Sequence, residues 1–378
     1  MTIFFTHTEQ FKFCCGCYYS TENFSNKTIK RYSNFCNKLI IGARCEDILI
    51  ENASRYSKLE DTKLQFSKID YDSKMFERIK ENVLNSDFII ARLPSLFGLI
   101  AIYYAKKHNK PVYVEVVGNA FEALWYHSIK GKLIAYPFQM LTKLAVRKAD
   151  FVSYITEKYL QEVYPTSRIA QGGLANIAIE DSFFTDEILS NRITKIKNDK
   201  KIKLGMIANL MVKYKGHKEV LIVFSKLCKE FSNLELELVG GGSPERISQL
   251  IKQLNIENKV QIKGTIPNDK IFAWLDGVDI YLQPSKTEAH GRSVIEAMSR
   301  GCTVVTSDVG GMRETISKDF RFKLNDLDSF YGILDNVISN TDIRTQQAYV
   351  NIEQSKQFKA SVIDRKRNDF FSQIINAR

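Results

Sequence analysis

Short, mostly apolar runs alternate with helix-length segments along the whole chain, and this alternation constrains the fold more than any other feature. Phe88 to Ala91, Val112 to Val117, Leu234 to Val239 and Val278 to Leu282 are such runs. Strands that bury both faces read in this way. Between them, Asp72 to Ser86, Ser95 to His108 and Gly216 to Phe231 read as helices. A strand and helix alternation of this kind implies parallel sheets joined by crossover helices, an α/β fold.

A chain of 378 residues suits two domains, each with its own core. Residues 1–182 read as the first. It holds a weak strand at Met1 to Thr6, a cysteine- and glycine-containing loop at Phe13 to Ser20, a helix at Thr28 to Asn37 and a strand at Lys38 to Ala43. Residues 183–201 end in a polar, lysine-rich stretch and read as a linker. Residues 202–355 read as the second domain and 356–378 as a closing helical segment.

The chemistry concentrates between Gln283 and Ile316. Pro284 and Ser285 end the strand at Val278 to Leu282 in a loop, the position at which open α/β sheets bind ligands. From Arg292 the apolar positions Val294, Ile295 and Met298 recur at helical spacing, Gly301 stops the helix, and Thr303 to Thr306 is the next strand. Glu288 stands in the loop and Glu296 in the helix, with His290, Gly291, Arg292 and Ser293 between them at the helix start. Unpaired N–H groups and the positive dipole end suit a phosphate there. Glu296, about one turn or ~5 Å further on, is then within reach of ribose hydroxyls, and Glu288 faces whatever hangs from the other side of the phosphate.

Pro284, Ser285, Glu288, Gly291, Glu296, Ala297, Met298, Gly301, Asp308, Gly310 and Gly311 stand in register with the donor-site signature of the retaining glycosyltransferases of family 4. The stretch resembles that family. The resemblance implies two Rossmann-like domains facing across a cleft, the GT-B arrangement, with the last helix crossing back to the first domain. It implies Glu288 on donor sugar hydroxyls, Glu296 on the ribose and Lys215 on the leaving diphosphate. Relatives place an arginine before that lysine, and this chain has Asn209 there. The loop Gly264 to Pro267, with Ile266, is placed to meet a nucleotide base through backbone groups.

The first half resembles a branch of the same family that works on bacterial capsule or O-antigen polysaccharides, more loosely, through Ala91 to Ser95, Glu115 to Gly118 and Ala123 to Lys132. On that resemblance Arg92 takes an acceptor phosphate or the donor, Glu115 holds acceptor hydroxyls beside Gly118, and His127 contacts the reacting sugar. A buried Arg92–Glu115 ion pair and a structural hydrogen bond at His127 are the plain alternatives. Gly16 matches a glycine loop that lies beneath the diphosphate in relatives, without their Gly-Gly pair.

The formal charge of +11 calls for an anionic partner: nucleic acid, a membrane surface or a phosphorylated substrate. No nucleic-acid recognition motif is present, so that partner is not expected. Between Ser128 and Ala149 five basic residues stand with no acid among apolar ones, a pattern shared by helices on anionic leaflets and by helices packed on their own domain. Seven cysteines form no even framework, and no signal peptide is read, which favours reduced thiols and a cytoplasmic place, at most peripheral on the membrane. No cofactor and no metal are expected. Asp70-Tyr71-Asp72 matches a D-x-D metal motif formally but ends no clear strand. The reading is therefore a transferase moving sugar from a nucleoside diphosphate donor, UDP-linked by preference, to a polyprenyl-diphosphate-linked or oligosaccharide acceptor. A phosphorylase or epimerase of the same architecture, or a non-catalytic binding module, are the alternatives.

Overall fold

The computed structural model describes residues 1–20 and 24–377. The chain divides into two compact units, Met1–Leu174 with Asn368–Arg378, and Ala175–Arg367.

The first unit is built on a nine-stranded sheet. Thr2–Cys14 is its longest strand and pairs in parallel with Lys38–Asp47 on one side and Phe88–Leu93 on the other. Val112–Val116, Phe151–Tyr154 and Ile169–Gln171 continue the sheet in parallel. The chain reverses at Cys15 and Gly16, both with positive φ, so Cys17–Ser20 returns antiparallel with Cys14 opposite Cys17. A two-residue turn of that handedness matches the twist of a hairpin. One face of the sheet is closed by Ile3, Phe5, Ile41 and Ile90 packed with Phe370, Phe371 and Ile374 of the last helix, Ala360–Asn376.

The second unit carries a six-stranded, all-parallel sheet in the order Val260–Gly264, Leu234–Val239, Ile202–Ile207, Ile280–Gln283, Thr303–Ser307, Arg321–Phe322. Numbered along the chain, this order is 3-2-1-4-5-6, the doubly wound arrangement. Alternating residues feed opposite faces, as strand geometry requires. Leu204, Met206, Leu236, Ile280 and Leu282 enter one core, whereas Tyr281 and Val304 enter the other with Val294 and Met298 of the helix Arg292–Ser299. Between strands 1 and 4 the winding changes direction. Loops leaving the two neighbouring strands diverge there and open a crevice at their carboxyl ends.

Residues 183–201 differ from the linker reading. Asp186–Asn198 is a helix with Arg192 and Ile196 buried, and it belongs wholly to the second unit. Its inward face is anchored by a cation: Arg192 donates to the carbonyls of Arg300 (2.8 Å), Val278 (2.5 Å) and Leu275 (2.8 Å). A charged residue on the buried stripe hid the helical period from a reading based on hydrophobicity. The two units also meet the sequence-based boundaries inexactly, with the first ending at Leu174 and the closing helix changing unit at Asn368.

Candidate functional site

Strand Ile202–Ile207 hands the chain to a loop that ends in a single 3₁₀ turn, Lys213–Lys215. Gly216 then turns with φ 88°, and a Cβ at that position would come within 2.4 Å of the Pro284 carbonyl oxygen. Glycine is needed on both counts, left-handed backbone and close approach. The contact locks this loop to the one leaving strand Ile280–Gln283, and the Lys286 amide adds a 2.8 Å bond to the Tyr214 carbonyl. Two loops from the two central strands are thus fastened to each other at the switch point.

Fastening them brings together two charges that lie far apart in the sequence. Lys215 Nζ lies 2.5 Å from Glu288 Oε1, with both side chains mostly buried. The same carboxylate oxygen accepts from Gln283 Nε2 at 2.7 Å and from Ser285 Oγ at 3.1 Å. Gln283 is held in turn, its Oε1 accepting from Tyr281 OH at 3.1 Å and from Ser293 Oγ at 3.5 Å. Gln283, Ser285 and Tyr281 are buried, and burial pushes the Tyr281 phenol up, so it stays a donor. Such a fully connected buried network fixes the position of Glu288 tightly. Gln283 was not singled out in the sequence. A long polar residue closing an otherwise apolar strand was the available signal.

The helix Arg292–Ser299 starts at Gly291, which has φ 63° and would clash with Met312 if it carried a Cβ. No side chain caps this end. First-turn N–H groups are not paired by the helix itself, and the helix dipole places partial positive charge there. Glu296 is half-buried on the next turn, and burial raises its carboxyl to about 7 against the lowering pull of Arg292. His290, just ahead of the helix, is buried against Phe358 and pulled down to about 4, so its ring is neutral at physiological pH. Glu288, Gly291, Arg292, Ser293 and Glu296 therefore share one loop and helix start with Lys215 joined to it.

Asn209 lies on the loop after the first strand, where its Oδ1 accepts from the Met211 amide at 2.9 Å. It acts as a turn former and brings no charge. Arg246 reaches the same loop, donating to the Leu210 carbonyl at 2.9 Å, and braces it. Gly264 ends its strand with φ 69° and its carbonyl accepts from the Gly240 amide at 2.9 Å, while Ile266 packs on the second core. These two follow strand 3 of the sheet.

The residues of the first unit form a separate group. Arg92 and Glu115 are register partners on neighbouring strands. Their side chains part company: Arg92 Nη1 lies 3.1 Å from Nε2 of buried His7, and Glu115 accepts from Tyr32 OH at 2.7 Å and Tyr113 OH at 3.4 Å. The ion pair considered from sequence is replaced by a histidine and two tyrosines. Gly118 follows the Glu115 strand with only ordinary contact to Pro94, and His127 is exposed between two helices. Gly16 stands apart at the tip of the hairpin, with open space where a Cβ would be. A hairpin tip is not the strand-to-helix loop that cradles phosphate, and the positive φ of the turn explains the glycine.

Among the described residues no three His, Cys, Asp or Glu gather closely enough to hold a metal ion. Asp72, of the D-x-D match, accepts from the Lys74 amide and pairs with Arg78 at 3.0 Å ahead of the helix Met75–Leu84. All seven cysteines are free thiols.

Residues 189–353 match the family model "Glycosyl transferases group 1". The chain is 34% identical over 346 residues to protein CapJ of Staphylococcus aureus, covering 88% of this chain and 85% of that one. It is 27% identical over 215 residues to poly(glycerol-phosphate) alpha-glucosyltransferase of Bacillus subtilis, covering 55% of this chain and 29% of that protein. Among solved structures it resembles HepE of Anabaena in complex with UDP, with a TM-score of 0.71 at 14% identity over 99% of this chain and all of that one, so the fold matches a GT-B glycosyltransferase. Likeness to CapJ over most of both chains, the matched domain around the Lys215–Glu288 pair and the two-unit α/β architecture agree, and the chain belongs to the group 1 glycosyltransferases, a family of transferase enzymes.

Proposed function

We propose that this protein is a retaining, family 4 glycosyltransferase that moves a sugar from a nucleoside diphosphate donor to a lipid-linked or oligosaccharide acceptor during bacterial surface polysaccharide synthesis. The observation that carries the reading is the Lys215–Glu288 pair set against an uncapped helix start, with Glu296 one turn further on. A cation and helix N–H groups suit a diphosphate, a half-buried carboxylate at ribose distance suits two hydroxyls, and a second carboxylate held by Gln283 and Ser285 suits the transferred sugar. UDP is favoured as the donor nucleotide, in keeping with the UDP bound to HepE, and the CapJ likeness favours a capsule acceptor, polyprenyl-diphosphate-linked.

Transfer breaks the bond between the anomeric carbon and the diphosphate oxygen and forms one from that carbon to the acceptor oxygen, through an oxocarbenium-like state. Negative charge grows on the diphosphate as it leaves. Lys215 would release part of its hold on Glu288 and follow that charge, and Glu288 would accept from sugar hydroxyls. The acceptor attacks from the face the diphosphate leaves, and the acceptor proton passes to the departing phosphate oxygen. No metal ion is needed in this scheme. On the first unit, Glu115 and Gly118 are assigned to the acceptor, Arg92 to an acceptor phosphate or the donor, and His127 to the reacting sugar. The enzyme would work at the inner face of the plasma membrane, where such acceptors are built.

A panel of nucleotide sugars, assayed for turnover with and without acceptor, tests the reading. Release of nucleoside diphosphate from one donor is expected. Lys215→Ala should lower turnover by about 10² or more, as loss of one preorganised donor to a developing anion does elsewhere. Turnover within a few-fold of the parent would remove Lys215 from the mechanism.

A further inference from the structure

The helix Ile129–Lys148 in the first unit is built inside out. Its inward positions are small or polar except for one valine: Gly131, Ala135, Gln139, Thr142, Ala145 and Val146 are the buried ones. Gly131 sits so close to the preceding helix that a Cβ would come within 2.3 Å of the Leu124 carbonyl oxygen, so the seating is tight and specific. Large apolar side chains face outward instead. Ile129 is 83% exposed, Leu133 79%, Tyr136 68%, and Ile134 and Leu141 54% each. An ordinary surface helix shows the opposite distribution, and a contiguous exposed apolar stripe of this kind marks an interaction surface.

At about 100° per residue the stripe centres on Ile129, Leu133, Met140 and Leu144, with Lys132 and Lys143 along one flank and Lys130 and Lys148 along the other. Arg147 adds a fifth cation, and no acidic residue stands between Ser128 and Ala149. From Ile129 to Leu144 the stripe extends ~24 Å by helical rise, long enough to lie along a surface. Trp125, on the helix just before, is exposed and has Lys132 Nζ 5.3 Å from its ring centre. Among the described residues no helix is long and apolar enough to cross a membrane.

We infer that this outward face docks on an anionic lipid bilayer, its apolar stripe entering the headgroup boundary and its flanking cations meeting lipid phosphates. Charge decides between the occupants. A second copy of the chain laid symmetrically on this face would oppose five cations with five like ones. A bilayer rich in anionic lipid answers both the stripe and its flanks, and Trp125 beside the stripe suits the interface. The inference rests on the proposed function only for its choice of the inner membrane face. Vesicle binding requires no sugar transfer, so the two readings fail separately.

Flotation of the full chain with vesicles tests it. With vesicles of phosphatidylcholine and about one-third phosphatidylglycerol the protein should float, and with phosphatidylcholine alone it should remain at the bottom. Lys130→Gln with Lys148→Gln should weaken partitioning about 25-fold, at about fivefold per cation lost, and Ile129→Ser with Leu133→Ser should abolish it. All four positions are exposed, so circular dichroism and thermal unfolding should match the parent. Failure of the parent to float with anionic vesicles would overturn the inference, as would equal flotation with neutral ones or unchanged flotation of the Ser variant. Concentration-dependent dimerisation abolished by Leu133→Ser, without vesicle binding, would assign the face to a second copy and also overturn it.

Discussion

Glu296 is a carboxyl that burial holds at about 7, so near neutral pH its proton is half lost. In the proposed ribose contact it accepts two hydroxyl hydrogens when ionised; protonated, it offers one acceptor oxygen fewer. Affinity for a nucleotide should therefore rise as pH goes from about 6 to about 8, and Glu296→Gln should flatten that dependence and weaken binding at the upper end. Dissociation constants for UDP measured across that range check this. Folding has the opposite sign. A carboxyl raised above its unfolded value of about 4.3 favours the native state fully at low pH and loses that contribution as pH rises through about 7. Glu296→Gln should thus raise the unfolding midpoint at pH 8 more than at pH 5, although it weakens ligand. Glu288, Glu296 and Lys215 were legible in the sequence because a contiguous signature carries the first two and a Lys-Gly turn the third. Gln283 was not, since its role comes from a network that forms only when two loops meet. Gly16 has a turn to account for it: a glycine with positive φ serves a hairpin as well as a phosphate loop.

At the scale of elements, the second unit was largely readable because parallel strands buried on both faces leave mostly apolar runs. Leu234–Val239 appears in the structure with the bounds expected from sequence, and Arg292 starts the donor-side helix as expected. What resisted reading was a helix anchored by charge. Asp186–Asn198 is held by Arg192, whose guanidinium is received by three carbonyls, two of them at the carboxyl end of Asn268–Gly277, where a helix dipole favours a cation. Arg192→Ala should destabilise the second unit by about 3 kcal/mol or more, because buried carbonyls lose charged partners. Chemical denaturation followed by circular dichroism checks it, and a loss under about 1 kcal/mol would show that water can replace the guanidinium. The first unit was read less fully. Its longest strand, Thr2–Cys14, has a register irregularity between Thr6 and Gln10 and turns polar midway, so only its apolar start was visible.

For the molecule as a whole, two compact units, each with its own buried interior, imply two cooperative transitions rather than one. The loops proposed to face the diphosphate all lie in Ala175–Arg367, so UDP should stabilise that unit selectively. At about 100 times its dissociation constant the nucleotide contributes about 2.7 kcal/mol to the unit that binds it. Calorimetry should show one transition moving up with UDP and the other staying in place. A uniform shift of both would place the ligand's contacts in both units.

The closing helix sets an order on how the chain can be made. Phe370, Phe371 and Ile374 complete the hydrophobic interior formed by Ile3, Phe5 and Ile41, although more than three hundred residues separate them along the chain. During translation the amino-terminal unit must therefore wait with an open seam while the following unit, contiguous in sequence, emerges and closes. A ribosome-bound nascent chain stalled shortly before Phe370 should carry a protease-sensitive amino-terminal portion and a resistant later one, an inversion of the usual first-out, first-folded sequence.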